Sequence, residues 1–202
     1  MSQASSSPQR ERFLDAAEQS LAHFGLAKTT LEDVARAAGA SRATLYRQFR
    51  SRDELLLAVV AREAGRLAAE AARRLERFDD VGSWIVEGML FCLEQIPQRP
   101  VLAMLFVPAE AGVASRLLLR SERLHAIGTE LLRPIFEPAR ARGLLRAEVE
   151  LEMLMEWVLR ALVSFLSVPS PLAANPGAMR RMLRLMILPA VLRSPEEESH
   201  DV

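Results

Sequence analysis

The chain has 202 residues, 50% hydrophobic and 26% charged, and its 26 basic and 26 acidic side chains cancel to a formal net charge of zero. That is the composition of an ordinary globular protein with enough chain to bury a core, which excludes a disordered polymer. Uninterrupted apolar runs such as Val101 to Ala109 fall well short of the ~18 residues of a membrane helix, so no membrane association is expected. A single cysteine, Cys92, excludes an intrachain disulfide framework, and His23, His125 and His200 lack metal-ligand spacing, so neither a metal nor a cofactor is expected.

Residues 1–8 are Ser-rich without an apolar h-region and read as a disordered tail, not a signal peptide, which implies a cytoplasmic protein. Phe13, Ala16, Ala17, Leu21 and Phe24 recur at helical spacing from about Gln9, and Gly25 follows as a C-cap. Thr30 and Asp33 open a short helix that ends at Ala38 and Gly39; Ser41 caps another through about Phe49. Ser51-Arg52-Asp53-Glu54 is a capping box that opens a long helix to about Phe78.

Further along, Pro97, Pro100 and Pro108 punctuate helices expected near Val81 to Ile96 and Val101 to Val107. A longer helix is expected from about Val113 to Arg142, kinked by Pro134 and Pro138 and ended by Gly143. The last two run from Glu150 to about Leu166 and, with Asn175-Pro176 as N-cap and first residue, to about Leu192. No strand pattern and no repeat is present. The expectation is an all-α fold of about nine helices.

The zero net charge hides segregation. Val34 to Arg52 holds Arg36, Arg42, Arg47, Arg50 and Arg52 with no carboxylate, whereas residues 194–202, an expected acidic disordered tail, carry Glu196, Glu197, Glu198 and Asp201. The basic stretch coincides with two short helices joined at a glycine, the steric plan of a helix-turn-helix. Ala35 is the small residue at the helix crossing, Gly39 supplies the turn, and Leu45 anchors the second helix against Val34 and Ala38. That helix then projects Arg42, Ala43, Thr44, Tyr46, Arg47 and Gln48, a face of hydrogen-bonding groups suited to base edges and phosphates.

From Phe13 to Leu57 the sequence resembles the amino-terminal domain of the tetracycline-repressor (TetR) family. The resemblance rests on Ala16-Ala17, Phe24-Gly25, Thr29-Thr30-Leu31-Glu32-Asp33-Val34-Ala35, Ala38-Gly39-Ala40-Ser41 and Thr44-Leu45-Tyr46-Arg47-Gln48-Phe49. It implies a homodimeric transcriptional regulator, usually a repressor, whose recognition helices enter successive major grooves of a double-stranded DNA operator with inverted-repeat symmetry. It also implies that Tyr46, the only tyrosine, bonds a phosphate. Thr44 and Arg42 are candidates for base or groove contact; Arg47 is open between guanine and phosphate. Thr30 caps its helix and is a further candidate for phosphate contact, as is Arg52 at the start of the long helix. Gln48 stands where the family often has His.

On this reading residues 9–52 are the DNA-binding domain and 53–193 a helical ligand-binding and dimerisation domain. An apolar pocket for a small hydrophobic effector is expected from Trp84, Gly88, Phe91, Cys92, Met104, Phe106, Leu124, His125, Gly128 and Phe136. Trp157, Val158, Ala161 and Phe165, with Met179, Met182, Leu183 and Met186, give the last two helices an apolar arc too wide for one side of a monomer, and pairing them with symmetry mates makes a four-helix dimer interface. An enzyme is disfavoured because no catalytic triad, P-loop or dinucleotide fingerprint occurs. The alternative is a helical interaction or ligand-binding protein whose helix-turn-helix is vestigial.

Overall fold

The computed structural model describes residues 7–106, 121–168, 170–172 and 175–194. Side-chain oxygens start its helices. Ser7 accepts from the Arg10 N–H at 3.2 Å to open α1 (Pro8–Lys28), with Pro8 at a position whose amide would have no partner anyway. Gly25, at φ +77°, breaks α1 as the sequence implies, but one further turn follows, closed by Thr29, whose amide and hydroxyl both donate to the Gly25 carbonyl.

Thr30 caps α2 (Leu31–Ala37), Ser41 caps α3 (Arg42–Gln48) and Ser51 caps α4 (Arg52–Leu75), each accepting from the amide three residues on. Between α2 and α3 the chain turns at Gly39, φ +62°, where the Ala40 amide reaches back to the Ala35 carbonyl and the Gly39 amide to Arg36. Any residue with a Cβ would be strained there.

Asp80 caps α5 (Val81–Gln95). The stretch expected as one helix from Val101 to Val107 is instead a single α-turn, α6 (Pro100–Ala103), flanked by 3-10 turns at Ile96–Gln98 and Met104–Phe106. Pro97 and Pro100 lack the amides a continuous helix would need, so the backbone tightens on either side. The expected helix from Val113 starts later: Ser121 is extended and caps α7 (Glu122–Ala141), while residues 107–120 lie outside the described residues. Pro134 and Pro138 lie within α7, on its exposed side. Then come α8 (Leu151–Ser167) and α9 (Pro176–Val191). An isolated antiparallel bridge, Leu145 to Leu192, ties the end of α9 to the α7–α8 connection; no strand occurs among the described residues. Apart from Ser7, Pro8 and Ser194, the two expected tails also lie outside the described residues.

The core follows from α4, which packs against α1, α5, α6 and α7, while α5 carries α8 and α9 on its other sides. In the amino-terminal part Phe13, Val34, Leu45 and Phe49 are essentially solvent-free, with the Phe13 and Phe49 rings edge to face at 6.5 Å. Burial of each such side chain contributes about 1.5–3 kcal/mol.

Charge joins the same elements. Arg62 of α4 pairs with Glu11, Asp15 and Glu18 of α1 at 2.7–2.9 Å, and Arg66 with Glu18 and Glu63 at 3.0 Å. Arg99, the residue before α6, pairs with Glu63 and Glu70 of α4 at 2.6 and 2.5 Å. A ladder of guanidinium and carboxylate groups therefore runs from α1 across α4 to the start of α6. No helix among the described residues is long and apolar enough to cross a membrane.

Candidate nucleic-acid interface and effector cavity

The helix-turn-helix is held from behind by arginines on carbonyls that helix ends leave without partners. Arg10 of α1 donates to the Gln48 carbonyl at 3.0 Å and lies 4.2 Å over the Phe49 ring, and Arg12 donates to the Ala38 carbonyl at 2.9 Å. Arg52 donates to the Thr29 carbonyl at 2.8 Å and also to Leu26. The guanidinium expected on phosphate is thus turned inward onto the end of α1, where the unpaired carbonyls and the negative end of the helix dipole attract it. Nothing in the sequence distinguished these structural arginines from those facing out.

Ala35 and Leu45 are buried at the crossing of α2 and α3, and Gly39 makes the turn between them. The opposite side of α3 is open. Arg42, Ala43, Tyr46 and Arg47 are exposed, Thr44 and Gln48 half-buried. Arg42 lies 5.5 Å from the Tyr46 ring centre and donates to its hydroxyl at 3.4 Å, while its guanidinium pairs with Glu32 of α2 at 2.7 Å. Arg47 donates to the Thr44 hydroxyl at 3.3 Å, and Thr44 and Ser41 share a 2.8 Å hydrogen bond. The face therefore comes with two oriented guanidiniums, a phenol and a small apolar spot at Ala43. Thr30, by contrast, gives its hydroxyl proton to Asp33 at 2.6 Å and accepts the Asp33 amide in return. The Thr30 hydroxyl holds the Asp33 carboxyl below its usual value, and in this state it has no proton left for a phosphate.

A second feature lies in the other half. A partly open cavity of about 150 Å³ is lined by residues of α4 to α8. Of the residues expected there, Trp84, Gly88, Cys92, Phe106, Leu124 and Gly128 line it; Phe91, Met104, His125 and Phe136 do not. Phe91 turns to another cleft, beside Arg74 and Arg180. His125 sits on the outer side of α7 with Nε2 3.3 Å from Glu156, and Phe136 is sealed in the core. Met104 packs against the core in the 3-10 turn after α6 without reaching the wall. The sequence reading missed the contributions of α4, through Val60, Ala64, Leu67 and Ala68, and of α8, through Met155, Leu159 and Leu162. The breadth of the apolar arc on α8 was the available signal: one side of it faces this cavity. Burial pushes the Cys92 thiol up to about 12.

That geometry also corrects the expected dimer face. Val158 lines the cavity, and Met179 and Leu183, 1% and 2% exposed, are packed inside the protomer, where α9 lies on α5. Ala161, Phe165 and Met182 are half-buried against the core. What remains outward is Met153, Trp157 and Met186 of the apolar arc, joined by Leu185, which the periodicity does not place on it; the groove between α8 and α9 is lined by Met153, Trp157, Met186 and Ala190.

Comparison with known proteins matches residues 13–59 to the family model "Bacterial regulatory proteins, tetR family". An HTH-type transcriptional regulator of Mycobacterium tuberculosis is 30% identical over 169 residues, 84% of this chain and 80% of the relative. The TetR family repressor AlkX of Dietzia sp. strain DQ12-45-1b, implicated in biodegradation of n-alkanes, superposes with a TM-score of 0.65 and 28% identity over 91% of this chain and 94% of its own. FadR of Bacillus subtilis, solved with stearoyl-CoA, shares the fold at a TM-score of 0.58 and 13% identity, covering 86% of this chain and 96% of its own.

Proposed function

The chain belongs to the tetR family of bacterial regulatory proteins, and we propose that this transcriptional regulator is a cytoplasmic homodimeric repressor that leaves a palindromic operator when a small hydrophobic ligand enters its cavity. The observation that carries DNA recognition is the open face of α3, on which Arg42, Tyr46 and Arg47 stand oriented and exposed over a buried Leu45 and Phe49. Tyr46 and one guanidinium serve phosphates, and Arg42, Ala43 and Thr44 meet base edges. Thr30 and Arg52 act behind this face by fixing the ends of the helices, and Gln48, half-exposed at the end of α3, is a further candidate DNA contact.

The cavity supports the ligand half of the reading, as does the shared fold with FadR of Bacillus subtilis, which was solved with stearoyl-CoA. Its wall includes α4 and the turns around α6, and these are the elements that the Arg99–Glu63–Arg66–Glu18 ladder ties to α1. A ligand that shifts Ile96, Leu102 or Leu105 therefore pulls on the helix-turn-helix through α4. Two recognition helices in a dimer must stand about 34–36 Å apart to enter successive major grooves. A ligand that prefers another spacing weakens operator binding by its differential affinity for the two arrangements.

Selection of bound duplexes from a random pool at about 150 mM salt, where non-specific affinity fades, tests the reading. An enriched inverted repeat is expected, and the Tyr46→Ala, Arg47→Ala double variant should lose it while keeping its helical circular dichroism. A folded wild-type dimer that enriches nothing would overturn the operator reading and favour a vestigial helix-turn-helix.

A further inference from the structure

The described wall of the cavity is built from aliphatic side chains, Trp84, Phe106, two methionines, Cys92 and two glycines. Its only side-chain polar groups are the Trp84 indole N–H and the Cys92 thiol, and burial keeps that thiol protonated across the physiological range. Among the described wall residues a carboxylate would meet no cation and no set of donors, the nearby Arg99 guanidinium being held by Glu63 and Glu70, and an ion transferred from water to such surroundings is strongly disfavoured. The volume of about 150 Å³ is that of an apolar cavity able to hold one benzene molecule.

One contact in this wall is especially close. A Cβ on Gly128 of α7 would lie 2.7 Å from Met155 Cε and closer still to Sδ. The glycine thus exists where the Met155 thioether of α8 folds across α7, and Met155 itself forms part of the cavity wall. A thioether on three rotatable bonds fills space adaptably, so this side chain is an adjustable part of the cavity wall.

We propose that the cavity admits an uncharged hydrocarbon of single-ring size, and that Met155, seated on Gly128, sets the upper limit of that size. The proposal rests on the reading of this cavity as the effector site and adds the ligand's charge and dimensions.

Toluene and benzoate, similar in shape and different in charge, are titrated into the full-length protein at pH 7, with melting temperature and tryptophan emission as readouts. Toluene is expected to raise Tm by about 2–4 °C and to alter the emission of Trp84, and benzoate at equal concentration to do neither. An equal response to both overturns the uncharged class while leaving the cavity a ligand site. A response to neither overturns the effector-site reading and the proposal with it.

Met155→Ala is expected to move the ratio of affinities for butylbenzene over toluene up by about tenfold or more, and the near-isosteric Met155→Leu to leave the ratio within a few-fold. Melting of each variant without ligand establishes that it folds. An unchanged ratio in a folded Met155→Ala removes Met155 from the role.

Discussion

At the scale of single residues, five of the seven arginines in the first 52 positions divide into two kinds by what their guanidiniums touch. Arg10, Arg12 and Arg52 satisfy main-chain carbonyls at the ends of α3, α2 and α1, whereas Arg42 and Arg47 hold side-chain partners on an open face. Net charge and spacing do not separate the two, because a partner that lies 23 or 26 residues away in the chain is invisible in a local pattern. The difference has a measurable consequence at Arg52. Removing a charged donor from partly buried carbonyls costs about 1–3 kcal/mol, so Arg52→Met should lower the urea midpoint while leaving the salt dependence of duplex binding unchanged. Were Arg52 a phosphate contact, stability would hold and the slope of log affinity against log salt would fall by about one.

Among the elements, α2, α3, α4 and α9 were the most legible in advance, whereas the Ser121 cap of α7 was not read. Thr30, Ser41, Ser51 and Asn175 mark the starts of α2, α3, α4 and α9, since an oxygen that must meet amides two or three residues on leaves a local signature. The region around α6 was not legible because prolines at 97 and 100 say where a helix cannot continue and not what replaces it. The cavity was half legible: periodicity shows that a face of α8 is apolar but not whether it meets a core, a void or another chain.

Some contacts between elements depend on pH in a way that can be worked out. Arg180 of α9 grips Glu87 of α5 through two hydrogen bonds of 2.5 and 2.9 Å, and that contact, ahead of the opposing effect of burial, holds the Glu87 carboxyl below its ordinary 4.5. A depressed carboxyl stabilises the folded state above the unfolded value and loses that contribution as pH falls through the folded value. Glu87→Gln should therefore be less stable than wild type at neutral pH, with the gap closing below about pH 4.5. Urea unfolding at pH 7 and at pH 3.5 measures both gaps, and a gap independent of pH would show that the pair does not anchor α9 to α5.

For the molecule as a whole, the surface left over after the protomer has closed its core is what decides assembly. Leu185 and Met186 are 67% and 72% exposed, Met153 and Trp157 59% and 44%, and all four lie on the outer sides of α8 and α9. An apolar set of this kind on two neighbouring helices needs cover, and in the proposed homodimer a two-fold axis beside them would supply the same set from a second copy. Carboxylates placed there would face each other across the axis without water. The variant Leu185→Glu, Met186→Glu should therefore be a monomer by sedimentation at micromolar concentration. Its helical content should match that of wild type, because neither residue contributes to the protomer core. Operator affinity should drop with it, since a monomer brings one recognition helix to a two-half-site repeat and loses the second set of contacts. Its affinity for a single half-site should stay within a few-fold of the wild-type protomer's. A variant that remains dimeric would move the interface elsewhere on the molecule; a monomer that still binds the full repeat as tightly as wild type would detach DNA recognition from dimerisation.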